Sequence, residues 1–138
     1  MKKYTTIFTL FLSLLIAVIA FAEDDETIKF YDSYVEATNK AKSLDELKPY
    51  LSQNNLNQLK EVSNKDLNIL LDLMRDIRKP MKRINISSKI EENKAILTIE
   101  AINVDDPNAK ITGIITLVRE NGQWKIDNED FTSQTFIE

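Results

Sequence analysis

Pro80 divides this chain into two stretches whose apolar residues recur at different intervals, and no other feature constrains the fold as tightly. Ahead of it the interval is near ~3.6 residues, the repeat of one helix face; beyond it the interval is about 2, the repeat of a strand with one buried face. Helices first and strands afterwards imply an α+β architecture, with N-terminal helices packed on a four-stranded antiparallel sheet.

In the first stretch, Phe30, Tyr31, Tyr34, Val35 and Ala41 recur at helical intervals between Thr27 and Ala41, with Lys29, Glu36, Asn39 and Lys40 elsewhere on the wheel. Ser43-Leu-Asp-Glu46 matches a capping box that predicts a short second helix, and Pro49 should end it by disfavouring helical geometry at Lys48. Tyr50 and Leu51 are expected to dock inward. Ser52 can cap a third helix running through Leu56 and Leu59 to about Glu61. Ser63 can cap a fourth, which carries Leu67, Leu70, Leu71, Leu73, Met74 and Ile77 and should end before Pro80.

In the second stretch, Ile84, Ile86, Ser88 and Ile90 alternate with polar residues up to a turn at Glu91-Glu92-Asn93. Lys94 to Val104 reads as a long strand, with Ala95, Leu97, Ile99 and Ala101 on one face and Ile96, Thr98, Glu100 and Ile102 on the other. Asp105-Asp106-Pro107-Asn108 breaks it. A third strand from about Lys110 to Arg119 puts Ile111, Gly113, Ile115 and Leu117 on one face, with Gly113 marking a bulge or bend. The pair Asn121-Gly122 suits a two-residue type I′ hairpin, whose central residues both need positive φ. That turn pins Trp124, the one tryptophan, in register with Ile126 beside it, so that the two close the open end of a core above a short last strand. Lys125 and Asp127 are then expected to face solvent.

The N-terminus has its own signature. Lys2 and Lys3 precede an apolar run from Ile7 to Ala22, too short for the roughly 20 residues that a membrane span needs, and Ala20-Phe21-Ala22 suits a signal peptidase. Residues 1–22 are therefore expected to be a cleaved signal peptide, leaving a single domain of 116 residues, 23–138, exported to the periplasm or beyond. Membrane contact is expected only through the leader, and no cysteine follows the cleavage site to carry a lipid. Removing the leader leaves 16 basic against 22 acidic residues, a charge of −6 that argues against nucleic acid as a partner. Without cysteine, an exported chain has no disulfides and must rely on its apolar core.

The order of N-terminal helical segments and a four-stranded meander, with Leu47 to Ser52 reading Leu-x-Pro-Tyr-Leu-Ser and a Gly-x-Trp-x-Ile end at Gly122 to Ile126, resembles the nuclear transport factor 2-like superfamily. The similarity runs from Thr27 to about Phe131 and is closest to small exported bacterial members of unassigned function. What it implies is a cystatin-like cone: a curved sheet wrapped around the first helix, with a pocket between them. Tyr31, Tyr34 and Trp124 are the candidate pocket-lining aromatics, although all three also serve as core residues. The sheet is a candidate surface for a homodimer.

Chemistry is limited by what the chain lacks. Zinc sites and serine triads want histidine or cysteine, and the sequence has neither. Glycine occurs only at 113 and 122, so no phosphate-binding loop can be built, and Asp127-Asn128-Glu129-Asp130 lacks the spacing of a calcium loop. Asn85-Ile86-Ser87 matches a glycosylation sequon and reads as a chance match on a strand. No cofactor and no metal are expected. The cations Arg75, Arg78, Lys79, Lys82 and Arg83 cluster against the acidic trend and are a candidate docking patch for an acidic partner, or else complement a helix end. The expected function is a non-catalytic exported module that binds a small apolar ligand or an envelope protein. The alternative is a pocket isomerase or hydrolase with an acidic base beside Tyr31 or Tyr34, for which Glu100, the acidic residue in mid-strand, is the candidate.

Overall fold

The computed structural model describes residues 26–135; the leader and residues 23–25 of the acidic tip lie outside the described residues. A helix over residues 26–40, α1, carries Tyr31 and Tyr34 on its buried face. Leu44–Tyr50 is a 3₁₀ segment that buries Leu44 and Leu47, followed by α2 (Gln53–Leu59) and α3 (Asn64–Arg78). The sheet is an open antiparallel meander in the order β1-β2-β3-β4: Met81–Glu91, Lys94–Asn103, Ala109–Glu120 and Gln123–Thr135.

The local signals act largely as expected. The Ser52 and Ser63 hydroxyls accept the backbone N–H groups of Asn55 and Asp66, capping α2 and α3. Asn121 and Gly122 take φ of +51° and +77°, the positive pair that a type I′ turn requires. Ala95, Leu97, Ile99 and Ala101 of β2 and Ile111, Ile115 and Leu117 of β3 form one buried face against the helices. Three expectations about these elements change. Ser43 makes no side-chain cap, and Pro49 does not end the segment but lies inside it, one residue before its last. The last strand is not short; with 13 residues it pairs along the whole of β3.

The sheet contains two irregularities that the regular alternation does not anticipate. In β1 the pairing passes from Arg83↔Ala101 to Asn85↔Glu100, leaving Ile84 as an extra residue, 60% exposed instead of inward with Ile86. In β4 the pairing passes from Leu117↔Ile126 to Thr116↔Asn128, leaving Asp127 as the extra residue. Gly113 is not the bulge. It pairs regularly with Phe131, and a Cβ there would lie 2.5 Å from Cε1 of that ring, so its role is to let the ring lie against the sheet.

The β4 bulge is held from outside the sheet. Leu51 bridges Ile126, the Ser52 N–H and the Asn55 side chain both donate to the Ile126 carbonyl at 2.8 Å, and the Ser52 hydroxyl donates to Asp127 Oδ1 at 2.8 Å. Because one residue is inserted, every β4 side chain after Asp127 exchanges faces. Trp124 and Ile126 point into the core, and so do Glu129, opposite Ile115, and Phe131, opposite Gly113.

Candidate functional site

The exchange of faces puts a carboxylate under the helices. Glu129 accepts hydrogen bonds from Tyr31 Oη at 3.0 Å and from Tyr34 Oη at 2.8 Å, while Arg78 Nη2 contacts both of its oxygens, at 2.6 Å to Oε1. Arg78 and Glu129 keep only 10% and 14% of their side-chain surface in contact with solvent. The Arg78 guanidinium also lies over the Tyr34 ring, 5.2 Å from its centroid. One residue from each of two turns of α1, the last residue of α3 and the displaced part of β4 thus converge on one buried charge pair.

Electrostatics follow from that burial. Loss of solvation, and then the adjoining Glu129 carboxylate, push the Tyr31 and Tyr34 hydroxyls well above the ordinary tyrosine value, so both remain proton donors. For Arg78, burial by itself would favour deprotonation, but the attraction of Glu129 outweighs it and the pKa is raised. The Arg78 nitrogens Nε and Nη1 are buried without any hydrogen-bond partner. An unsatisfied buried donor costs about 1–3 kcal/mol, more on a charged group.

Above this pair lies a cleft of about 290 Å³. Leu44, Leu51, Leu59, Leu70, Met74 and Ile77 supply its apolar wall, and Arg78, Glu129, Asp127 and Phe131 supply its floor and lip. The volume sits at the lower edge of the roughly 300–1,000 Å³ usual for small-molecule sites. A second cleft of about 210 Å³ opens on the other side, between Tyr31, Val35, Met81, Ile99 and Ala101, and Arg78 and Phe131 line both. They are the partition between the two. The mouth of the second cleft carries the Arg83 and Asp32 ion pair, 2.6 Å long.

The candidate residues divide accordingly. Tyr34 lines the main cleft and Tyr31 the second, each through a ring that is otherwise core. Trp124 is 4% exposed, is stacked by Arg119 at 4.3 Å, and lines a separate cleft of about 280 Å³ with Phe30 and Tyr50. Glu100 is exposed between Asn85 and Thr112, on the sheet face turned away from the helices, so it cannot serve the cleft. Asp127 does not simply face solvent but is held by Ser52.

The five cations do not form one docking patch. Arg75 donates from Nε to the Thr38 carbonyl at 3.0 Å and from Nη2 to the Ala41 carbonyl, capping the C-terminal end of α1. Arg78 is buried with Glu129, and Arg83 is paired with Asp32. Arg75 and Arg78 are drawn inward by carbonyl and carboxylate acceptors, Arg83 stays exposed but paired with Asp32, and of the five only Lys79 and Lys82 are exposed without such a partner.

Glu129, the central residue of the site, was not singled out by alternation counted from Trp124, which assigns it to the solvent face. A signal was nevertheless present: Trp124 and Ile126 share one parity and Phe131 has the other, so all three reach one core only if a residue is inserted between them. Comparison with family models, with curated proteins and with solved structures finds no match to this chain.

Proposed function

We propose that this protein is an exported, single-domain, non-catalytic module of the nuclear transport factor 2-like kind, which holds a small apolar ligand in the cleft between α3 and β4. The observation that carries the proposal is an apolar cleft whose one buried carboxylate is already committed to three donors, Tyr31, Tyr34 and Arg78. A general base needs a lone pair facing its substrate. Glu129 has its oxygens turned to the protein, which suits a structural floor better than a proton acceptor. The ligand version takes precedence over an envelope-protein partner, since Arg75, Arg78 and Arg83 are engaged within the fold. A homodimer, if formed, would use the outer sheet face around Ile96, Ile102 and Ile114, where Ile114 is 39% exposed.

Thermal unfolding in the presence of small alkylbenzenes and of an envelope lipid extract tests the reading, because a ligand that prefers the folded state raises the midpoint with its concentration. A midpoint unmoved by every compound that fits the cleft refutes it. Intact-mass measurement of the protein from its host tests export; retention of residues 1–22 outside the cytoplasm refutes cleavage after Ala22.

One observation favours the enzymatic alternative: an acidic residue does stand on an inward strand position beside both tyrosines, and it is Glu129 instead of Glu100. Turnover of a carbonyl or epoxide substrate that is lost in Glu129→Gln, in protein shown to remain folded, would establish the isomerase or hydrolase reading.

A further inference from the structure

We propose that the cleft selects neutral ligands bearing a carbonyl-type oxygen on an apolar body, and that Arg78 receives that oxygen. The inference rests on the cleft being a ligand site and adds the chemistry of its occupant.

Arg78 is permanently charged and has no acceptor of its own, so each of its N–H groups needs an oxygen. Nη2 has Glu129; Nε and Nη1 have nothing, in a side chain nine-tenths removed from solvent. Since the guanidinium forms part of the wall of both clefts, a small turn about its contact with Glu129 presents one of these nitrogens to an acceptor seated in the main cleft. The two unmet donors are thus recognition groups held in reserve behind an apolar wall.

Charge decides between a neutral and an anionic acceptor. The charged residues lining the main cleft are Arg78, Asp127 and Glu129, one cation against two carboxylates. A ligand carboxylate would share an already paired cation and stand close to two like charges, with its own hydration removed. A ketone, ester or amide oxygen meets the donors without adding charge. Leu44, Leu51, Leu59, Leu70, Met74 and Ile77 fit a hydrocarbon body. At roughly 30 Å³ for each water-sized unit, a cleft of about 290 Å³ holds on the order of ten non-hydrogen atoms.

The test uses protein purified after expression of the whole chain and three probes of equal carbon count: hexylbenzene, pentyl phenyl ketone and 4-pentylbenzoate. Isothermal titration should rank the ketone about tenfold tighter than the hydrocarbon, the gain of one hydrogen bond from a charged donor, and the benzoate weakest. Two variants locate the effect. Arg78→Lys keeps the charge and loses the planar fork, and Arg78→Met combined with Glu129→Met removes the pair without stranding either charge. In both, the ratio of ketone to hexylbenzene affinity should fall to about one, whatever the change in either affinity alone. Equal affinity for ketone and hydrocarbon in the unaltered protein, or a ketone preference that survives in both variants, overturns the role of Arg78 while leaving the cleft a ligand site. Benzoate binding at least as tight as the ketone overturns the neutral selectivity. Failure of all three probes to bind removes the cleft as a ligand site, and this inference with it.

Discussion

Removing the Glu129 carboxylate alone should be among the most destabilising single changes available to this protein. In Glu129→Met, Arg78 keeps its charge in a site where its side chain is 10% exposed, and Nη2 joins Nε and Nη1 without an acceptor. Breaking a buried pair in this way costs about 3–5 kcal/mol. The Tyr31 and Tyr34 hydroxyls lose their acceptor as well, at about 1–3 kcal/mol each if nothing replaces it. Turning of the guanidinium and entry of water from the clefts should recover part of this, so a net loss of about 4–6 kcal/mol is expected, against a total of about 5–15 kcal/mol for a domain. Arg78→Met should cost less, about 3 kcal/mol, because the two tyrosines continue to hold the carboxylate that remains. The double replacement strands neither charge and fills the floor with apolar volume, but the two tyrosine hydroxyls still lose their acceptor, so its cost should be about 2–4 kcal/mol. Urea titrations followed by circular dichroism, with the slope unchanged across the four proteins, give the cycle directly. A double variant at least ~3 kcal/mol more stable than the sum of the singles predicts is the expected result. Additivity within about 0.5 kcal/mol would show that the two side chains do not form a coupled buried pair.

Trp124→Ala should cost about 3–5 kcal/mol, as for any buried large aromatic; a loss below about 1 kcal/mol by denaturant titration would contradict its 4% exposure. Gly113→Ala forces a Cβ to within 2.5 Å of Phe131 Cε1, so it should destabilise by about 1–3 kcal/mol and move the ring that divides the two clefts; ring and affinity unchanged in a structure and titration of the variant would count against that partition. The raised tyrosine values set an alkaline limit. Folded Tyr31 and Tyr34 retain protons that the unfolded chain releases near the ordinary ~10, so their contribution is full below that pH and stability falls as pH rises beyond it. Tyrosinate absorbance should therefore show these two ionising only as the fold opens, and reversible titration of every tyrosine near pH ~10 in native protein would refute it.

Several features needed nothing but the sequence. The change of period at Pro80, the Ser52 and Ser63 caps, the Asn121-Gly122 turn and the inward faces of β2 and β3 all depend on neighbours within a few residues, where propensity and alternation act. The 3₁₀ segment departs from expectation in that Ser43 makes no side-chain cap and Pro49 stands one residue before its end.

The site was decided at longer range. Alternation makes Glu129 a solvent residue, and it becomes the floor of the cleft because Asp127 is inserted as a bulge; that bulge is stabilised by Ser52 and Asn55, more than seventy positions earlier in the chain. The Ile84 bulge likewise turns Arg83 toward the side of the sheet that meets Asp32. Five cations in one stretch look like a surface patch until the fold supplies acceptors for three of them. A repeat of two residues is a local property, whereas its interruption is fixed by whichever distant groups grip the extra residue. The sequence by itself therefore determined the layers and their facing surfaces, and tertiary contacts chose which charged side chains lie between them.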